Sequence, residues 1–177
     1  QLAALRSRAV DAVVLTYRAV LPREDLHIDV LPMMRSGFVC RRQHPLVQQR
    51  NRRLEFTDLT RYPMISTGVS DDVTRILVER HGGQANPQRW LHVSSDEIGA
   101  LIEAVRNSDA IFLGVLAATR ALLKSGELVE LPLHPITQLN AQFTFITLEG
   151  RTEAPPLQLV RDFCADLARA EAEINGR

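Results

Sequence analysis

The sequence lacks the features that mark several large classes of protein. Two cysteines in 177 residues are too few for a disulfide framework, and they have no C-x-x-C spacing. The longest apolar run, residues 110–118, is interrupted by a glycine and falls short of the ~20 residues that cross a bilayer. The first residues do not form a secretory signal. These absences predict a cytoplasmic protein in which Cys40 and Cys164 are reduced packing residues.

An excess of charge of either sign is also missing. Twenty-one basic residues balance 21 acidic ones, so no overall field attracts the chain to nucleic acid or to anionic lipid. We therefore do not expect this chain to bind DNA alone. The densest run, residues 41–53, carries five arginines and no acid. A phosphate-binding patch is one interpretation, but the absence of interleaved aromatic residues favours a solvated loop.

Strong catalytic motifs are absent as well. There is no glycine-rich phosphate loop, no G-x-S-x-G elbow and no H-E-x-x-H helix. The five histidines are scattered singly, which favours structural or solvated side chains over a metal site. Cys40 lies in an apolar segment, which favours a packing role, and Asp71 and Asp72 fit the positive end of a helix dipole. The sequence thus predicts no enzyme, no metal and no cofactor.

What the sequence does contain is a regular alternation of strand-like and helix-like segments. With 45% hydrophobic and 24% charged residues it can bury a core, and the alternation predicts an α/β fold with mostly parallel strands. Residues 11–16 resemble a buried parallel strand. Residues 70–81 predict a helix that Ser70 caps and Gly82 ends. The links 31–36 and 133–140 join extended segments without a helix, which predicts two lobes between which the chain passes twice.

Hydroxyl and amide groups gather where the predicted strands end. Ligands of open α/β sheets bind outside the carboxyl ends of the strands, so these residues are the candidate ligand-binding set: Thr16, Arg18, Ser66, Thr67, Gly68, Ser94, Ser95 and Gly114. The segment 94–97 has the spacing of a capping box, so Ser94 is either a helix cap or a ligand contact. Arg18 is either a clamp for an anionic ligand or a solvated side chain.

Several short sequence segments, taken in order, resemble those of the effector-binding domains of LysR-type transcriptional regulators. They are Arg41-Arg-Gln-His-Pro-Leu46, Phe56-Thr-Asp-Leu59, Tyr62-Pro63 and Gly126-Glu-Leu128. The resemblance extends from about residue 2 to the final helix. The chain departs from the family in two places. Arg8 stands where the family usually has glycine, and a Ser-Asp-Ala-Ile segment at 108–111 with Val115 replaces the usual Gly-x-Gly-Ile and proline.

The resemblance implies a type 2 periplasmic-binding-protein-like fold: lobe one from residues 1–35 and 136–177, and lobe two from residues 36–135. It also implies that the first strand and helix of lobe one, and an N-terminal winged helix-turn-helix that would contact DNA, have no counterpart in this chain. The expected partners are a small organic effector, carboxylate or sugar-like, and further copies of the protein in a homodimer or tetramer. No membrane contact is expected. The alternatives are a solute-binding receptor of a transporter with the same fold and a small α/β enzyme.

Overall fold

The computed structural model describes residues 1–17, 23–49, 53–150 and 155–174, with side chains described up to residue 170. The chain divides into two compact units, which are residues 1–35 with 141–177 (unit 1) and residues 36–140 (unit 2). Residues 136–140, which the sequence assigned to lobe one, cluster with unit 2. In the described part of the chain, no helix combines the length and apolar character that crossing a membrane requires.

Unit 1 is a three-stranded sheet with one helix against each face. Its elements are α1 (Leu2–Arg6), β1 (Val13–Thr16), β2 (Leu26–Val30), β9 (Phe143–Leu148) and α8 (Pro155–Ile174). Because side chains alternate across a strand, Ile146 packs with Leu5 of α1, whereas Phe145 packs with Ala168 of α8. The two faces of β9 therefore form the centres of two small cores.

The strand at residues 11–16 was expected to be parallel, and that prediction is wrong. β9 lies between β1 and β2 and runs antiparallel to both of them. Burial in β1 alternates between half-buried and exposed residues, as expected of a strand with one covered face. A short apolar run does not reveal its partner, and the partner here comes from more than 100 residues further along the chain.

Unit 2 contains a larger, mixed sheet. Its strands are β3 (Met34–Arg41), β4 (Met64–Ser66), β5 (Leu91–Ser94), β6 (Ile111–Val115), β7 (Leu128–Glu130) and β8 (Leu139–Ala141). The first two residues of β3 and the last residue of β8 belong to unit 1. The order is β5-β4-β6-β3-β7, and β8 pairs with β3. β4 is parallel to β5 and β6, whereas β3 is antiparallel to β6 and β7. The prediction of mostly parallel strands is therefore wrong for the molecule and holds only at β5-β4-β6.

The helices of unit 2 cover both faces of this sheet. They are α2 (Pro45–Gln48), α3 (Phe56–Leu59), α4 (Asp71–His81), α5 (Pro87–Trp90), α6 (Ile98–Arg106) and α7 (Arg120–Ser125). One core cluster gathers the aromatic rings of Phe38, Phe56 and Trp90, and the other gathers Phe112 with Leu101 of α6. Each fully buried apolar side chain of this size contributes about 1.5–3 kcal/mol to stability. The core of unit 2 is thus the main stabilising element of the described chain.

Helix α4 confirms the predicted helix and both of its end signals. Ser70 Oγ accepts a hydrogen bond from the Val73 N–H at 3.4 Å, which satisfies one of the amides that a helix start leaves unpaired. At the other end Gly82 has a φ of 83°, a left-handed value that favours glycine.

Candidate functional site

The carboxyl ends of three parallel strands meet at one edge of the unit 2 sheet. Ser66 at the end of β4 pairs in register with Ser94 of β5 on one side and with Leu113 of β6 on the other. Six of the eight predicted ligand-binding residues are therefore brought to this edge: Ser66, Thr67, Gly68, Ser94, Ser95 and Gly114. We call these six residues the strand-end cluster.

Ser66 is used within its own turn. Its side chain is buried, and its Oγ accepts the Gly68 N–H at 3.3 Å and donates to the Gly68 carbonyl oxygen at 3.4 Å. Gly68 has a φ of 138°, which a residue with a Cβ adopts only under strain. Ser66 and Gly68 therefore shape the turn that presents Thr67.

Ser95, rather than Ser94, supports the start of α6. Ser95 Oγ accepts the Glu97 N–H at 3.1 Å, and the Ser95 N–H donates to the Ser66 carbonyl oxygen at 3.3 Å. Of the two roles left open for Ser94, the helix cap is wrong, because β5 continues through Ser94 and the helix begins later, at Ile98. Within the described residues the Thr67 and Ser94 hydroxyls have no hydrogen-bond partner. Those two hydroxyls are therefore unengaged, and their contact with a ligand stays a prediction.

Gly114 has a packing role that the sequence did not reveal. A Cβ at Gly114 would lie 2.1 Å from Cζ of Phe112, a residue two positions earlier on the same face of β6. Across the sheet, Gly114 pairs in register with Gly37 of β3, where a Cβ would lie 2.9 Å from Glu130 Oε1. Gly37 and Glu130 therefore border the same edge, and sequence reasoning missed both. Only the pairing register of β3 with β6 and β7 places them there, and that register joins residues far apart in the sequence.

The two remaining predicted residues belong to unit 1. Thr16 ends β1, is exposed and pairs in register with Phe143. Arg18 lies outside the described residues. The prediction that these side chains contact a ligand stays a prediction.

The basic segment that begins at Arg41 was expected to be a solvated loop, and that prediction is wrong at Arg41 and at residues 44–48. Arg41 lies in β3 and donates from Nε and Nη2 to Asp109 Oδ1 at 3.0 and 2.8 Å. His44 is fully buried, and residues 45–48 form α2. Residues 50–52 of the run lie outside the described residues. A pattern of charges could not reveal the partner at Asp109, which is 68 residues away.

His44 explains why a histidine precedes the proline of this segment. Its Nδ1 accepts the Leu46 N–H at 3.1 Å, so the ring proton is on Nε2, which donates to the Asp109 carbonyl oxygen at 3.1 Å. Burial is the main cause that lowers the pKa of His44, and Arg41 lowers it further. The neutral ring thus connects α2 with the turn before β6.

The described residues offer little for nucleophilic or metal chemistry. Cys40 is fully buried in β3, where desolvation raises the pKa of its thiol to about 12; a thiolate is the reactive form. Among the residues that the structure describes, no three His, Cys, Asp or Glu side chains are grouped to hold a metal ion.

A mixed α/β architecture with two sheets is that of the type 2 periplasmic-binding-protein-like fold. The family model of the LysR substrate binding domain matches residues 1–169, and the chain belongs to that family of effector-binding domains in transcriptional regulators. The SDS degradation transcriptional activation protein of Pseudomonas sp. (strain ATCC 19151) is 29% identical over 147 residues, which are 81% of this chain and 47% of that protein. The chain therefore spans about half the length of this curated relative.

Solved structures agree on the fold. The effector domain of AmpR from Pseudomonas aeruginosa superposes with a TM-score of 0.69 at 15% identity, covering 98% of this chain and 79% of that one. The AmpR effector binding domain from Citrobacter freundii gives a TM-score of 0.65 at 16% identity, covering 93% and 78%. The relatives found are named as transcriptional regulators, which favours the regulator over the transporter receptor and the enzyme.

Proposed function

We propose that the chain senses a small organic effector, either a carboxylate or a sugar-like molecule, that binds between unit 1 and unit 2 and thereby controls transcription. The observation that carries the proposal is the alignment of the strand-end cluster along three parallel strands, with the hydroxyls of Thr67 and Ser94 unengaged. Thr16 and Arg18 would supply the contacts from unit 1.

The proposed mechanism needs no chemical step. A ligand that binds the closed arrangement of the two units more tightly than the open one shifts the population toward closure, by as much as that difference in affinity. Closure would change the relative orientation of the subunits in a homodimer or tetramer. DNA would be contacted through a winged helix-turn-helix elsewhere in the whole protein, which would act in the cytoplasm.

Calorimetry with a panel of carboxylates and sugars tests the proposal. A short alkyl sulfate belongs in the panel, because one relative is named for activating transcription in SDS degradation. For a compound that binds, we expect Ser94→Ala and Thr67→Val each to weaken affinity about fivefold to tenfold, as for loss of one hydrogen bond. Thr57→Val, an exposed threonine on α3, is the matched control. Unchanged affinity in both cluster variants would contradict the assignment.

A further inference from the structure

Unit 2 contains a second buried histidine, and it contacts the segment that leads the chain back to unit 1. His81 is the last residue of α4 and contacts Thr137, which lies in the link of residues 131–138 between β7 and β8. His81 Nε2 and Thr137 Oγ1 are 2.7 Å apart, and Thr137 Oγ1 donates to the Pro135 carbonyl oxygen at 2.9 Å. The contact therefore joins two elements that are 56 residues apart in sequence.

The protons in this contact can be assigned. The Thr137 hydroxyl has one hydrogen, and Pro135 accepts it. With that hydrogen on the Pro135 carbonyl, Thr137 Oγ1 accepts from His81, and this assignment places the ring proton on Nε2. In the neutral ring Nδ1 is then a bare acceptor, and no residue in the described ranges donates to it.

The surroundings of His81 oppose a second ring proton. His81 is buried, and its ring lies 5.6 Å from that of Phe56, which in turn contacts Trp90. Desolvation is the main cause that lowers the pKa of His81, and Arg80 lowers it further. On the link, His134 is exposed and its backbone N–H donates to the Leu54 carbonyl oxygen. An added proton on Nδ1 would thus place a positive charge in a buried position, with no carboxylate hydrogen-bonded to the ring in the described residues.

The link has few other fixed points. Ile136, the neighbour of Thr137, is 78% exposed. His134 is held through Leu54, and residues 139–141 are held by the pairing of β8 with β3. Between those two points, the hydrogen bond of Thr137 to His81 is the one that joins the link to another element among the described residues.

We propose that His81 is a latch on this link: in its neutral form it holds Thr137, and on protonation it turns toward solvent and releases residues 135–138. The latch is a property of unit 2 and does not depend on the identity of the effector. The link leads into β8, in which the chain passes from unit 2 to unit 1 after residue 140. If closure is transmitted as in the proposed function, release of the link would loosen the segment before this passage.

Amide hydrogen exchange of the whole chain tests the latch at His134 and at residues 139–141, the protected positions on either side of Thr137. At neutral pH we expect Thr137→Val to exchange about tenfold faster there, because valine cannot accept the His81 proton. Thr137→Ser keeps the hydroxyl and should remain within about twofold of the unmodified protein. Equal rates in all three would overturn the proposal, and so would equal acceleration in α6, which would indicate general loosening.

The acid response is tested on the same amides. After correction for intrinsic exchange, the unmodified protein should show a rise as pH falls below about 6.5, the ordinary pKa of histidine. His81→Asn should exchange fast at every pH, whereas the control His134→Gln should keep the rise. A rise that persists unchanged in Thr137→Val, or that is lost in His134→Gln, would contradict the latch.

Discussion

Unit 1 and unit 2 cover their apolar side chains to different extents. Two large clusters in unit 2 bury aromatic rings on both faces of its sheet. Each of the two clusters in unit 1 has three buried residues. Helix α8 of unit 1 also carries a second apolar stripe that is exposed: Leu159, Val160, Phe163 and Leu167. The comparison shows that an amphipathic pattern identifies the apolar residues of a helix but does not show which of them are buried. In this chain the larger sheet has the larger buried clusters.

The largest expected difference in stability is between two phenylalanines, one in each unit, that are each replaced by alanine. Phe56→Ala in unit 2 should lower the free energy of unfolding by about 3–5 kcal/mol, because Phe56 contacts the rings of Phe38, His81 and Trp90. Phe163→Ala in unit 1, at a side chain that is 61% exposed, should change it by less than about 0.5 kcal/mol. Denaturant unfolding followed by circular dichroism measures both. Equal losses would show that the α8 stripe is covered in solution.

A smaller difference in stability is expected between two glycines of unit 2, one that packs against a side chain and one that has free space for a Cβ. Gly114→Ala should cost about 1–3 kcal/mol, because its Cβ would overlap the Phe112 ring. Gly99→Ala on α6, where a Cβ meets nothing within 4 Å, should stabilise by up to about 1 kcal/mol through helix propensity. Thermal unfolding of the two variants gives the comparison. A stable Gly114→Ala protein would mean that Phe112 moves aside at little cost.

In unit 1 the strained position is Arg8, and relieving it should stabilise the protein. Arg8 has a φ of 60°, its N–H bonds the Leu5 carbonyl oxygen, and the Ala9 N–H bonds that of Ala4, as in a Schellman helix end. Arg8→Gly should raise the free energy of unfolding by about 1 kcal/mol. Ser7→Gly is the control, since Ser7 has a right-handed helical φ of −76°. A gain in both variants would mean that flexibility, and not relief of strain, is responsible.

The smallest expected effect concerns His44, and it changes the free energy of unfolding only when the solution is acidified. The pKa of His44 is lowered by burial, so the folded state binds fewer protons than the unfolded state once pH falls below about 6.5. The contribution of neutral His44 is thus complete above that pH and is lost as pH falls toward the lowered value. Urea unfolding at a series of pH values should show a shallower decline for His44→Gln than for His134→Gln. Identical declines would remove His44 as the cause.

The same contrast shows what could be predicted from sequence. The ends of α4 were predictable because Ser70 and Gly82 act within one turn of the helix, and the strand-end cluster was predictable because parallel strands end at a common edge. The direction of β1 and the ion pair of Arg41 with Asp109 were not, because each depends on a partner far along the chain. The sequence offered Ser94 as the helix cap, whereas Ser95 supports the start of α6, because the capping pattern fits either of the two adjacent serines.

One irregularity in the unit 2 sheet has a consequence for mutational scanning. Between Met64 and Ile65 the pairing of β4 with β5 skips a residue, and His92 Nδ1 accepts the Met64 N–H at 3.2 Å. Here an imidazole replaces a main-chain carbonyl, so a solvent-facing position should tolerate substitution as poorly as an interior one. A scan that ranks sites by exposure alone would class His92 as permissive, and the growth or folding scores of its variants should show otherwise.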